Sequence, residues 1–182
     1  MTPTDWLLVI GNSALSALLL RAGAEKIIKT RIATTALDEL FPRVRFDLTG
    51  IVRLAAVLEV IAVMAVATPA LRLPAQLLFG VLGLAFLVLG ILGKARGSSQ
   101  PCGCLGASST RPLGTTNILM GLALLAVVLL NIETARPANA SVLAVSTAFL
   151  TVVISVVWLF WTSHQRIRLV IGNLRKETEP QS

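Results

Sequence analysis

The stretch LPAQLLFGVLGLAFLVLGILG, residues 73–93, contains no charged side chain. An α-helix needs about 20 predominantly apolar residues to cross the hydrocarbon core of a bilayer. A helix is the default in lipid because the backbone must satisfy its own hydrogen bonds there. This stretch therefore predicts a transmembrane helix.

The composition of the whole chain is also that of a membrane protein. Of its 182 residues, 55% are hydrophobic and 14% are charged, and the mean hydropathy is +0.81. A soluble domain is about 45–50% apolar and about 25% charged. The net charge of +7 comes from Lys and Arg clustered between the apolar runs and in the tail, a distribution that membrane topology explains. We predict an integral membrane protein that is surrounded by lipid and binds no nucleic acid.

Five apolar runs give the predicted architecture, at 6–28, 49–68, 73–93, 115–132 and 141–162. The fold class is all-α: a four-helix transmembrane bundle core plus a fifth, C-terminal transmembrane helix. The predicted divisions are 1–132 for the four-helix domain with its cysteines, 133–165 for the additional helix and 166–182 for a short basic and polar tail. We predict a multi-pass protein of the cell (inner or cytoplasmic) membrane.

The first run has some features of a cleaved signal peptide. Ala22-Gly23-Ala24 follows the apolar residues 6–20 and resembles a cleavage site. A signal peptide begins with a basic region, whereas Asp5 is the only charged side chain among residues 1–5. The run is therefore expected to remain as a span.

Two further patterns concern helix packing. In the first connection, Leu37 and Leu40 have helical spacing with acidic residues between them, which predicts a short amphipathic helix at the membrane surface. With five spans, this helix shares a face with the cysteines in the third connection. A stripe of small residues in the third span predicts a close helix–helix contact; it consists of Gly80, Gly83, Gly90 and Gly93.

Five charged residues lie inside the predicted spans, and three of them, Arg21, Arg53 and Glu59, lie farther from the ends or lack an evident partner on the same helix. A charge in hydrocarbon is costly and normally faces the bundle interior with a partner. Arg21 and Glu59 fall at similar depth, which predicts an Arg21–Glu59 pair, with Arg53 near Glu25 closer to the surface. Such pairs either fix the register of two helices or tune the site below the cysteines.

The chain has two cysteines, Cys102 and Cys104, separated by Gly103. A disulfide between them would close a small, distorted ring, and strain makes a disulfide easier to reduce. The glycine relaxes the backbone limits. Such a bridge closes almost no loop and would stabilise the fold very little. The spacing therefore favours a labile bridge used for exchange.

The surroundings of the cysteines leave three interpretations open. Lys94, Arg96 and Arg111 flank them, and nearby cations favour the reactive thiolate. Redox exchange, contact with a soft metal such as Cu(I), and incidental thiols all fit the residues. A closed zinc site needs four ligands, and the chain cannot supply them alone.

Four stretches carry a family resemblance: Ala22-Gly-Ala-Glu-Lys26, Leu58-Glu59, Cys102-Gly-Cys-Leu-Gly106 and Asn117. In these the chain resembles the MauE/DoxX-like family of redox-associated membrane proteins, named for methylamine-utilisation protein MauE. The likeness covers roughly residues 6–132. Leu105 and Thr116 depart from it, since the family has an aromatic and a basic residue there, and the fifth span lies beyond the family's four-helix core.

The resemblance implies a role in maturation of methylamine dehydrogenase, whose small subunit is rich in disulfides. The first hypothesis is a thiol–disulfide exchange protein whose partner is a thioredoxin-like protein or a disulfide-containing client. The second is a non-catalytic scaffold or a Cu(I)-handling subunit. A quinone-coupled oxidase is a third, and no cofactor motif supports Cu(I) or quinone.

The candidate catalytic residues are Cys102 and Cys104, and the supporting ones are Gly103, Gly106, Arg21, Glu25, Lys26, Arg53, Glu59 and Asn117.

Two considerations disagree about which membrane face holds the cysteines. The opposite face carries only Arg72 and Arg136, whereas the cysteine face has many basic residues: Lys26, Lys29, Arg31, Arg43, Arg45, Lys94, Arg96, Arg111 and those of the tail. The positive-inside rule therefore predicts cytoplasmic cysteines. A role in oxidative maturation instead favours the outer face, where disulfides persist.

Thiol labelling of intact cells distinguishes the two orientations. The charge distribution predicts that a membrane-impermeant maleimide leaves Cys102 and Cys104 unlabelled until the cells are permeabilised. The control is a variant with a single added cysteine in the connection between the second and third spans, which should label in intact cells. Strong labelling of the native cysteines in intact cells would rule out a cytoplasmic site.

Overall fold

The computed structural model describes residues 3–42, 47–101, 112–133 and 144–161. Within these ranges the chain forms six α-helices: α1 (Pro3–Ile28), α2 (Thr30–Leu40), α3 (Leu48–Val66), α4 (Arg72–Ala95), α5 (Thr115–Glu133) and α6 (Ala144–Trp161). A 3-10 turn, Pro69–Leu71, leads into α4. All except α2 are long and apolar enough to cross a membrane. The predicted all-α class and the five spans are confirmed.

Helix α1 packs against α2, α3, α5 and α6. It approaches α3 closely at Gly23, where an added Cβ would lie 2.9 Å from the carbonyl oxygen of Ala56. On its other side, the Ser13 hydroxyl donates to the carbonyl of Thr147 in α6 at 3.2 Å. The apolar core around Leu19 and Phe79 joins α1, α3, α4 and α5. The first span is thus held on several sides.

Helices α4 and α5 pack closely through glycines. A Cβ on Gly90 would lie 2.7 Å from the backbone nitrogen of Ile118. One on Gly121 would lie 2.6 Å from the carbonyl oxygen of Gly83. Real Cβ atoms do not approach backbone atoms so closely, so a side chain at either position would force the helices apart.

The predicted small-residue stripe of α4 is therefore confirmed at three of its positions. Gly83 and Gly90 contact α5, and Gly93 packs against Leu113 just before α5 begins. At Gly80 an added Cβ would meet nothing within 4 Å. The prediction is wrong for Gly80, which lies outside the contact.

Helix α2 is the predicted amphipathic helix of the first connection. Ala33, Ala36 and Leu40 form its buried side, and it packs against α1 and α3. Its C-terminal end is hydrogen-bonded to residues that directly follow α4. The Arg96 guanidinium donates to the carbonyl of Leu40, and the Ser98 hydroxyl donates to Glu39 Oε2 at 2.8 Å. The first and third connections thus meet at one end of the bundle, as predicted.

The glycine contacts predict how α4 tolerates substitution. Gly90→Ala should lower the free energy of unfolding by about 1–3 kcal/mol because the methyl group overpacks the α4–α5 interface. Gly80→Ala is the matched control. It should be neutral or stabilising by up to about 1 kcal/mol, since alanine is the better helix former. Thermal unfolding of both variants in detergent, followed by circular dichroism, checks this; equal losses would contradict it.

Candidate functional site

The residues on either side of the cysteines are held together. Cys102, Gly103, Cys104 and Gly106 lie outside the described residues, as does the rest of 102–111, here called the cysteine segment. Just before and after it, Pro101 and Pro112 form an isolated antiparallel bridge. The backbone N–H of Leu113 donates to the carbonyl of Gln100 at 3.4 Å. The segment therefore leaves and re-joins the bundle at one place, between α4 and α5.

A buried ion pair joins α1 to α3. The Lys26 ammonium donates to Glu59 Oε1, and the two residues are only 6% and 1% exposed. The predicted Arg21–Glu59 pair is therefore wrong, because Glu59 takes Lys26 as its partner. An isolated charge at this depth would be very costly, and the pairing meets part of that cost.

The helical face of each residue explains the correction. Leu19, Ala22 and Lys26 are spaced by three and four residues and are all buried. They lie on the side of α1 near Gly23, which touches α3. Arg21 lies on a different side, so depth along the helix was a poor guide to its partner.

Arg21 is instead engaged with α1 itself and with α6. Its Nε donates to Glu25 Oε1 at 3.0 Å, and its guanidinium lies 3.6 Å from the ring centre of Trp158. Among the described residues, the ion-pair partner of Glu25 is Arg21, and Arg53, which was predicted to lie near Glu25, is exposed.

Asn117 and Arg96 have more local surroundings. Asn117 is buried in the first turn of α5, and its backbone N–H donates to the Gly114 carbonyl at 3.0 Å. Arg96 holds the end of α2, and its guanidinium lies 5.8 Å from the Phe41 ring centre. Of the other flanking cations, Lys94 is exposed, and Arg111 lies outside the described residues. Arg96 therefore contributes to the fold whatever it does for the thiols.

An apolar cavity of about 490 Å³ lies between α2, α3 and α4. Lys26 and Glu59 line it, and the rest of its wall consists of Ala, Val, Leu, Ile and Phe side chains. Glu59 Oε2 has no hydrogen-bond partner among the described residues. Leu113 also lines this cavity, and its backbone N–H donates to the Gln100 carbonyl, which brings the two ends of the cysteine segment together. The ion pair, the cavity and the base of the segment therefore share one end of the bundle.

Sequence reasoning missed two features of this site. It named Lys26 and Glu59 without pairing them, although the glycine at 23, three residues before Lys26, marked the side of α1 that lies against α3. It did not foresee the cavity, which small side chains on separate helices create together. Across 3–42, 47–101, 112–133 and 144–161, the structure has no group of three or more His, Cys, Asp or Glu residues able to hold a metal.

A family model for methylamine utilisation protein MauE matches residues 4–132. The chain belongs to the MauE family. The matched region covers α1 to α5 except for one residue at each outer end, together with the Lys26–Glu59 pair and the cysteine segment, and α6 follows it. Neither the curated proteins nor the solved structures contain a match.

The buried ion pair predicts how substitutions at Lys26 and Glu59 change the free energy of unfolding. Lys26→Met should lower the free energy of unfolding by about 3–5 kcal/mol, because it leaves a buried carboxylate without its partner. The double variant Lys26→Met/Glu59→Gln should recover much of that loss, since no uncompensated charge remains. Denaturant unfolding in detergent micelles measures each step of the cycle.

Arg21→Met is the control for this cycle. Its partly exposed pair with Glu25 on one helix should contribute at most about 1 kcal/mol, and its contact with the Trp158 ring about 0.5–2 kcal/mol more. A larger loss for Arg21→Met than for Lys26→Met would contradict the assignment of Lys26 as the partner of Glu59.

Proposed function

We propose that this MauE-family protein carries out thiol–disulfide exchange at the membrane and so supports redox maturation of a partner protein. The family name associates its members with methylamine utilisation, and we propose that the partner belongs to that process. The observation that carries the proposal is that the residues on either side of the cysteine segment are held together, because Pro101 pairs with Pro112. This pairing is here called the closed base of the segment.

The closed base supports exchange because it limits where the thiols can go. A segment with both ends fixed loses less conformational entropy when it docks on a partner than a freely mobile chain does. The base lies between the end of α4 and the start of α5, at one end of two membrane-spanning helices. A thioredoxin-like protein or a disulfide-containing client could approach the thiols there without entering the lipid.

The exchange needs only the two thiols and the partner's cysteines. One thiolate attacks a disulfide of the partner, which forms a mixed disulfide and releases one partner thiol. The second cysteine then attacks the mixed disulfide, so that Cys102 and Cys104 become oxidised and the partner becomes fully reduced. The reverse sequence oxidises the partner. The small ring between the two cysteines favours such turnover, since strain makes its disulfide easy to reduce.

The Lys26–Glu59 pair supports this function by positioning. It fixes α1 against α3 beneath the cysteine end, and α2 follows α1 after a single residue. Helix α2 in turn contacts the residues before the cysteine segment through Glu39 and Leu40. A change at the ion pair should therefore reach the thiols through packing.

Mixed-disulfide trapping tests the proposal. Removing the resolving cysteine should leave the attacking one joined to its partner, so either Cys102→Ser or Cys104→Ser should accumulate a reducible adduct on a non-reducing gel. The Cys102→Ser/Cys104→Ser double variant is the control and should give none. Mass spectrometry of the adduct identifies the partner.

Two outcomes would contradict thiol exchange. One is that neither single variant traps an adduct in cells that process methylamine. The other is that both single variants keep full function while the double variant loses Cu(I) binding, which would favour a metal-handling role instead.

A further inference from the structure

The cavity between α2, α3 and α4 has a wall of hydrocarbon. Its volume is about 490 Å³, and small-molecule sites occupy about 300–1,000 Å³. Almost no polar atom reaches its surface, because the charged groups of Lys26 and Glu59 are turned toward each other. Water does not fill a cavity with such a lining. The occupant must therefore present hydrocarbon to the wall.

The cavity opens where lipid surrounds the protein. Part of its boundary is open, and the wall residue Ile51 of α3 is 47% exposed. Both α3 and α4 are long and apolar enough to span a membrane, so the cavity between them lies at the depth of the hydrocarbon core. Acyl chains of the bilayer are therefore the apolar groups that are most concentrated beside the opening.

Arg96 lies above the cavity on the same side of α4. Leu82 and Leu89 line the cavity, and Arg96 follows Leu89 by seven residues, a spacing that keeps all three on one side of a helix. The Arg96 guanidinium lies 5.8 Å from the ring centre of Phe41, another residue of the wall. With a rise of 1.5 Å per residue, the wall on α4 extends from about 10 to about 21 Å below Arg96.

The Arg96 guanidinium has hydrogen-bonding capacity left for an anion. Among the described residues it donates to the Leu40 carbonyl and has no carboxylate partner. It is exposed, and its five N–H donors match the geometry of a phosphate. One leaflet contributes half of a hydrocarbon core that is about 30 Å thick. A lipid whose phosphate lies at Arg96 can therefore extend an acyl chain to the depth of the wall.

We propose that the cavity binds one acyl chain of a membrane phospholipid and that Arg96 holds the phosphate of the same molecule. The inference goes beyond thiol–disulfide exchange and is independent of it, because no cysteine takes part. The chain would fill the space that Ala33, Ala36 and Ala85 leave between their helices. It would also support the amphipathic helix α2 from below, between α3 and α4.

Other occupants match the cavity less well. A polar solute would lose its hydration without gaining hydrogen bonds from the wall. A neutral lipid such as diacylglycerol fills the cavity but gives the Arg96 guanidinium no anion. A helix of a second protein is too large, because a single turn about 10 Å wide and 5.4 Å long already occupies most of the volume.

Saturable photolabelling tests the acyl-chain site. The probe is phosphatidylglycerol with a diazirine in its acyl chain, added to delipidated full-length protein in dodecyl maltoside. Labelling should saturate and should modify the α3 or α4 peptides that line the cavity. Ala85→Phe fills part of the cavity and should weaken binding by at least about tenfold. Leu84→Phe is the matched control, since Leu84 is exposed on α4 and does not line the cavity.

A second comparison tests the role of Arg96. Arg96→Gln should weaken the binding of phosphatidylglycerol about fivefold, and it should leave the binding of a diacylglycerol with the same diazirine chain unchanged. Unchanged diacylglycerol binding also shows that the variant keeps its fold. Lys94→Gln is the matched control. Lys94 is exposed as well, but it lies about 200° around the helix from Arg96, so both lipids should bind this variant normally.

Several results would overturn the proposal. Labelling that does not saturate, or that Ala85→Phe leaves unchanged, would overturn the acyl-chain site, as would a second protein chain found to cover the cavity. Equal losses for Arg96→Gln and Lys94→Gln, or equal losses of both lipids in Arg96→Gln, would overturn the phosphate contact. Palmitate that displaces the probe as well as unlabelled phosphatidylglycerol does would assign the site to a free fatty acid instead.

Discussion

One interaction constrains how α1 sits against α3, the buried contact between the Lys26 ammonium and the Glu59 carboxylate. A charge taken out of water is tolerated only when it is paired. This requirement fixes both the depth of α1 relative to α3 and the rotation of α1 about its own axis. Gly23 then allows the two backbones to approach. Because Thr30 begins α2 two residues after Ile28 ends α1, the same interaction also determines where the amphipathic helix starts.

The spans could be predicted from sequence because lipid imposes a strong constraint on length and polarity. The partner of Glu59 could not be predicted from depth in the membrane alone. Contact also requires that the side chain lie on the side of the helix that faces the partner. Arg21 and Lys26 are five residues apart, which rotates them by about 140° around the axis. Only one of them can face α3. Gly23 indicated which, since a glycine at a membrane helix contact marks the side of close approach.

The glycines of α4 and the cavity show a second limit of sequence reasoning. The stripe at Gly83, Gly90 and Gly93 predicted a close contact, and α5 occupies it. Gly80 belongs to the same sequence pattern but lies where no neighbour approaches. The cavity has no signature in any one helix, because alanines from α2, α3 and α4 leave the space jointly. Features made by several elements appear only once those elements are placed together.

The contacts of Arg96 and Arg72 bear on the orientation of the protein. Arg96 donates to the Leu40 carbonyl at the cysteine end, and Arg72 donates to the Asn131 carbonyl at the opposite end. One arginine at each end therefore has a structural role. If both are left out of the count of basic residues, the excess of positive charge at the cysteine end is unchanged. By the positive-inside rule this excess predicts that the thiols face the cytoplasm, where small thiols keep cysteines reduced. A dithiol in that compartment can be oxidised for exchange only if its electrons leave by another route.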